Sequence, residues 1–262
     1  MTLRLFVGAA IALVIVLLAR RAHALSSDGA LTAFGVGTVA MLAGWSWGAL
    51  LIAYFLTSSA LSRYGAAAKE ARTGDIVEKG RARDAVQVLA NGALFTLAAA
   101  LFVAGTLSTT AASALGAGTL AASASDTWAT EIGTLAKAPP RSILTLRPVA
   151  PGVSGGITLI GTLAAIAGAG FIAIVAFALG WPARATATAF AGGVAGSTID
   201  SILGAALQSR RWCDRCDRIT ERRVHRCGAL TRHRGGLRWL DNDVVNFVTS
   251  AAGGLFAMLL AR

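Results

Sequence analysis

The sequence predicts an all-α integral membrane protein, a polytopic bundle of about eight transmembrane helices, with seven to nine compatible with the pattern. Three observations lead there. Only 14% of the 262 residues are charged and 55% are hydrophobic, whereas a soluble domain carries about 25% charge. The mean hydropathy is +0.64. Apolar runs recur along the whole chain, near 3–19, 30–43, 46–61, 85–105, 111–125, 157–180, 184–207 and 243–261, at or close to the roughly 20 residues that cross a bilayer as helix. Finally, the basic residues alternate from loop to loop. The four odd-numbered loops hold 2, 6, 3 and 10 Lys/Arg, the even-numbered ones only Arg184, with Arg4 and Arg262 at the ends.

Each span rests on this pattern. The first, 3–19, has the look of a signal peptide because Ala22-His23-Ala24 resembles a cleavage site. Its flanking charge is heavier on the C-terminal side (Arg20, Arg21) than on the N-terminal side (Arg4), which favours an uncleaved span. The second and third spans meet at GWSWG, residues 44–48, a turn or a kink. One helix across 30–61 would put basic loops on opposite faces, so the positive-inside rule favours two. All four basic loops then face the cytoplasm and both termini lie outside. This topology accounts for the net charge of +11, and a nucleic-acid partner is not expected. The chain reads as one integral domain, 1–262, in the cell (inner) membrane, with the lipid bilayer as its partner and a cytoplasmic Cys/Arg-rich loop at about 208–241. Oligomeric state has no signature in the sequence.

In the later spans Gly192, Gly196, Asp200 and Gly204 recur every four residues and so share a helical face. Such a stripe admits a second helix at close range and holds Asp200 inside the bundle. Four polar groups then fall at the cytoplasmic side. The stretch SASDTWATEIG, 123–133, sets Ser125, Asp126, Thr127, Thr130 and Glu131 at the end of the fifth span. Intramembrane acids are functional by default, and the bland reading is a helix-end cap. RPVAPGVSGGITLIG, 147–161, brings Ser154, Gly155 and Gly156 to the start of the sixth span, an ordinary turn or a helix start whose free N–H groups attract phosphate. In GSTIDS, 196–201, Asp200 is a packing aspartate satisfied by Ser197 or Ser201, or a functional acid. WLDNDVVN, 239–246, places Asn242, Asp243 and Asn246 at the last helix start, where Asn242 or Asp241 also suits an N-cap.

Taken together, Asp126, Glu131, Asp200 and Asp243 lie at one membrane level. Acids so concentrated repel unless cations neutralise them. Mg²⁺ takes hard oxygen ligands, usually one or two carboxylates plus substrate phosphates, so the pattern suits phosphate chemistry at the membrane surface. Separately, Cys213, Cys216, Cys227 and His225 supply four ligands for a structural zinc, with His233 as an alternative histidine. Reduced cysteines in a basic loop are the competing reading.

SDTWATEIG, PGVSGGITLIGT, GSTIDSILGAALQ and CG–T–GG–WLDNDVVNF, in this order, closely resemble the membrane family containing plant phytyl-phosphate kinase and animal transmembrane protein nineteen, over about residues 25–262. The family is distantly similar to dolichol kinase and CDP-diacylglycerol synthase, although the Gly expected before Asp126 is Ser125 here. The resemblance implies an enzyme: a phosphotransferase that uses CTP or another nucleoside triphosphate as co-substrate with Mg²⁺, and converts an isoprenoid (phytyl or polyprenyl) monophosphate to the diphosphate at the cytoplasmic face. It points to Asp126, Glu131, Asp200 and Asp243 as catalytic acids, with Mg²⁺ on Asp126 and Asp243. Thr127, Ser154, Gly155, Gly156, Ser201, Asn242 and Asn246 would bind phosphate and nucleotide, and Lys137, Arg141 and Arg147 would neutralise triphosphate charge. Cytidylyl transfer to a lipid phosphate, an ion-coupled carrier and a structural scaffold are the other readings.

Overall fold

A computed structural model describes residues 2–78 and 82–262; Lys79 and Arg81, two of the six basic residues counted in the third loop, lie outside the described residues. Eight long helices coincide with the eight apolar runs: α1 (Thr2–Arg21), α2 (Ser27–Ala43), α3 (Trp45–Arg63), α5 (Ala85–Val103), α6 (Thr109–Gly133), α7 (Leu159–Ala178), α8 (Ala183–Ala206) and α9 (Asn242–Leu260). A ninth, α4 (Ala66–Thr73), is short and falls in the third loop. Among the described residues, four of these helices, α1, α5, α7 and α9, are long and apolar enough to cross a membrane.

Local chemistry sets the boundaries. Asp84 and Gln87 form a reciprocal capping box that opens α5, which satisfies two of the orphan N–H groups of a helix start. The Thr158 hydroxyl accepts from Gly161 N to open α7, and Asp241 accepts from Asp243 N and Val244 N to open α9. Between α2 and α3, Gly44 takes φ 156°, ψ 161°, a region closed to most other residues. GWSWG is therefore a break between two helices. Trp47, just beyond it, is buried among Phe95, Phe102 and Trp181, with ring centroids 5.3, 5.7 and 4.6 Å away.

α6 is the hub. It packs against α3, α5, α7, α8 and α9 and is buried continuously from Ala112 to Ser125. α1 lies outermost against α2. The stripe of small residues on α8 does what its spacing implies. A Cβ on Gly192 would stand 2.3 Å from the Gly253 carbonyl oxygen, and one on Gly196 would stand 2.7 Å from Ala122 Cβ and 2.9 Å from Thr249 O. Helices α6, α8 and α9 thus meet backbone to backbone. The opposite surface is apolar and open: Leu159, Leu163, Ile174 and Phe177 of α7 are 76, 58, 70 and 60% exposed, the signature of a face turned to lipid.

The all-α expectation needs one correction. Two small antiparallel sheets are present: β1 (Arg141–Ser142) with β2 (Gly156–Ile157), and a three-stranded sheet in the order β4-β3-β5, formed by β3 (Arg210–Cys213), β4 (Arg218–Thr220) and β5 (Arg232–Gly235). The region 208–241 is thus a folded module. Its strands are too short, and too rich in arginine, to show the apolar alternation by which strands are read.

Candidate functional site

The acidic stretch 123–133, expected at the end of the fifth span, forms the last turns of α6. That places Asp126, Thr127 and Glu131 on the hub helix, where three other elements reach them. A cavity of about 1090 Å³ opens here. Asp126, Thr127 and Glu131 of α6, Ser154, Gly155 and Gly156 of the loop before α7, Asp200 and Ser201 of α8, and Asn242, Asp243 and Asn246 of α9 all line it.

The three aspartates come from three helices. The Asp126 and Asp200 carboxyls lie side by side within hydrogen-bond reach, and Thr249 of α9 donates to Asp200 Oδ2 at 3.0 Å. Two carboxylates this close need a proton or a cation between them. Asp243, 7% exposed, sits in the first turn of α9, where the helix dipole favours an acid.

Glu131 is different. Lys69 of α4 donates to its Oε2 at 2.5 Å and Ser62 of α3 to its Oε1 at 2.6 Å. Lys69 Nζ also donates to Leu61 O at 2.7 Å, so the buried ammonium is well satisfied. Both Glu131 oxygens are engaged, and its place in the geometry is that of a tie between α3, α4 and α6, not of a metal ligand.

The loop 151–156 also departs from the expected helix start. Thr158, not the glycines, caps α7. Gly155 has φ +76°, and a Cβ there would stand 2.4 Å from Ala205 N, so its missing side chain lets the loop dock on α8. Ser154 donates a short hydrogen bond to Glu221 Oε1, and Gln208 Nε2 donates to the same oxygen at 3.1 Å. Burial pushes the Glu221 carboxyl up to about 7; the Ser154 bond opposes the rise, and Glu78, Asp200 and Asp241 add repulsion.

Lys137, Arg141 and Arg147 are exposed and do not line the cavity. Among the described residues, the cations that line it are Lys69, Arg72, Arg83, Arg211, Arg223 and Arg238. Arg83 rides over Tyr54 and Phe55, 5.9 and 5.8 Å from their ring centroids. With Glu221, these are the residues that sequence reasoning missed. Their one signal was membership of basic loops, which topology had already explained.

Hard carboxylate oxygens facing a half-enclosed space are the donor chemistry Mg²⁺ requires, and Asp126, Asp200 and Asp243 supply them here. An apolar crevice of about 90 Å³ adjoins the cavity, lined by α1, α2, α3 and α5 side chains such as Ile15, Val36, Leu51 and Val88. Tyr54, Arg83, Gln87 and Asn91 line both spaces.

A helical bundle with apolar outer faces and a charged cavity at one end has the build of an integral membrane protein with a polar site. Over residues 10–254 the chain matches the family described as Integral membrane protein DUF92, and it belongs to that family. It is 31% identical to Protein PGR of Arabidopsis thaliana over 86% of this chain and 85% of that one. To an uncharacterised membrane protein of Methanocaldococcus jannaschii it is 29% identical, over 98% and 94%. With the chloroplastic Protein VTE6 of Arabidopsis thaliana it shares 28% identity over 91% of this chain and 66% of that one. No solved structure matches it.

Proposed function

We propose that this protein transfers the terminal phosphoryl group of CTP or another nucleoside triphosphate to an isoprenoid monophosphate, at the cytoplasmic face of the cell membrane, within one integral domain of eight spans. The convergence of Asp126, Asp200 and Asp243 from three helices into one cation-lined cavity carries this reading. The resemblance to the family containing plant phytyl-phosphate kinase supports it, and so does the apolar crevice, which offers an isoprenoid tail a route from the cavity toward lipid.

The acceptor is a phosphate oxygen, already anionic near neutral pH, so the reaction needs no strong base. A bond forms between that oxygen and the γ-phosphorus, the bond from the γ-phosphorus to the β–γ bridging oxygen breaks, and a nucleoside diphosphate leaves. What remains is positioning and charge neutralisation. Arg83, beside both spaces, suits the lipid phosphate; Arg211, Arg223 and Arg238 suit the nucleotide entering from the cytoplasm. Thr249 holds Asp200, which in turn orients Asp126. Mg²⁺ held by Asp126 and Asp243 would neutralise the phosphates as charge shifts to the leaving group.

The test uses membrane vesicles and purified full-length protein, Mg²⁺, geranylgeranyl or phytyl monophosphate, and triphosphates labelled at either the γ- or the α-position. The expected result is γ-label in the lipid diphosphate, seen with inverted but not right-side-out vesicles and absent in Asp126→Asn. Label from the α-position would show cytidylyl transfer instead, and no labelled lipid with any nucleotide would refute the kinase. Solute flux in liposomes without nucleotide consumption would mark a carrier.

A further inference from the structure

Beside the cavity, and separate from its carboxylates, two tight turns of the 208–241 module face each other. The first follows β3, with Cys213 buried at its base, Cys216 at its tip and Asp217 at φ +51°. In the second, His225 N donates to Ala229 O at 3.0 Å and Gly228 N to His225 O at 2.8 Å, folding Cys227 back toward Cys213. One ligand atom from each of Cys213, Cys216, His225 and Cys227 falls within 4.8 Å of every other. Cys213 Sγ and Cys227 Sγ are 3.6 Å apart, and His225 Nδ1 is 3.3 Å from Cys227 Sγ. A tetrahedral zinc with its usual bond lengths has ligand–ligand edges of about 3.8 Å between sulfurs and about 3.5 Å between sulfur and nitrogen. The four groups therefore already stand near the corners of one coordination shell. His233, on β5, is not part of the cluster.

Of the module's hydrophobic residues only Cys213 and Leu240 are buried. Its strands run three or four residues, and Asp214, Arg215, Asp217 and Arg218 around the first turn are exposed. Units this small, with so little apolar surface to bury, are usually held by a metal or a disulfide.

We infer that Cys213, Cys216, His225 and Cys227 bind one structural zinc ion that clips this module into the roof of the cavity. Four protein ligands close the shell, which leaves no open position for chemistry. The clip has a mechanical reach. Downstream of β4, Glu221 N donates to Ile76 O at 2.9 Å, Thr220 Oγ1 to Asp75 O at 2.7 Å and Arg222 Nε to Gly74 O at 2.9 Å. The module thereby grips the segment after α4 and holds Glu221 and Arg223 over the site. Zinc binding stands apart from the reaction proposed above and is tested without it.

Full-length protein, produced with zinc available and purified without chelator, is analysed for metal by mass spectrometry. About one zinc per chain is expected. Stepwise mercurial titration of the thiols of the wild-type protein should release it in proportion to the thiols blocked, and Co²⁺ in its place should give the intense visible absorption of a tetrahedral thiolate site. Cys216→Ser should lose the metal, whereas His225→Cys and His233→Ala should retain it. Monodisperse, folded protein with almost no zinc, or with a Cys213–Cys227 disulfide and one titratable thiol, would overturn the inference. So would zinc that mercurials fail to release.

Discussion

The Lys69–Glu131 pair shows how a polar residue inside an apolar bundle is made tolerable. With side chains 10 and 21% exposed, neither charge has water enough to stand alone, and removing one partner leaves the other desolvated. Lys69→Met should therefore cost ~1–3 kcal/mol in detergent-solubilised protein, and Lys69→Met/Glu131→Gln should recover much of it; equal loss in the single and double variants would count against the pairing. Glu221 gives a pH signature. Its carboxyl is raised from 4.5 to about 7, so between those values the folded chain keeps a proton that the unfolded chain releases. Its contribution to stability must fall as pH rises through that window and level off above it. Thermal unfolding from pH 4.5 to 8 should show this decline in wild type and a smaller one in Glu221→Gln. Asp126, Asp200 and Asp243 were legible in the sequence because an acid set among Ala, Gly and Leu is costly to bury without a partner or a task. Glu221 was not, since an acid flanked by arginines reads as a solvated loop charge. Lys137 and Arg147 misled because closeness in sequence to the acids does not decide which way an exposed loop side chain points.

Among the elements, the α6–α8–α9 contact sets Asp126 beside Asp200 and places Asp243 on the same cavity. The glycine stripe on α8 revealed this contact in advance, because small residues every four positions leave one flat face. Gly196→Val should strain Ala122 and the Thr249 carbonyl and cost ~1–3 kcal/mol. Gly35→Ala on α2, where an added Cβ meets nothing within 4 Å, should instead gain about 0.5–1 kcal/mol. Thermal unfolding of the two variants separates close packing from generic glycine effects, and matching shifts would refute the packing argument. Long helices were readable because each carries a full apolar run, and α2, α5, α6, α7 and α9 also open on a polar cap. Helix α4 and the five strands were not: eight residues or fewer, they owe their order to partners distant in sequence.

The whole molecule divides its labour along its length. Apolar outer faces such as that of α7 commit it to the bilayer, and the charged residues gather at one end, around the cavity and the 208–241 module. At the other end Arg184, opening α8, donates to the carbonyl oxygens of Leu260, at 3.4 Å, and Arg262. The alternating charge of the loops had this division written into it; what it could not give was which basic residues turn inward, a matter of tertiary contacts made by α4 and the 208–241 module. The proposed reaction requires that α6 and α9 offer Asp126 and Asp243 to one divalent cation, with Asp200 of α8 positioning Asp126. Mn²⁺ binding, followed by electron paramagnetic resonance on full-length protein in nanodiscs with nucleotide present, tests it most directly. Asp126→Asn, Asp200→Asn and Asp243→Asn should each weaken binding about tenfold or more, whereas wild-type affinity in all three would contradict it.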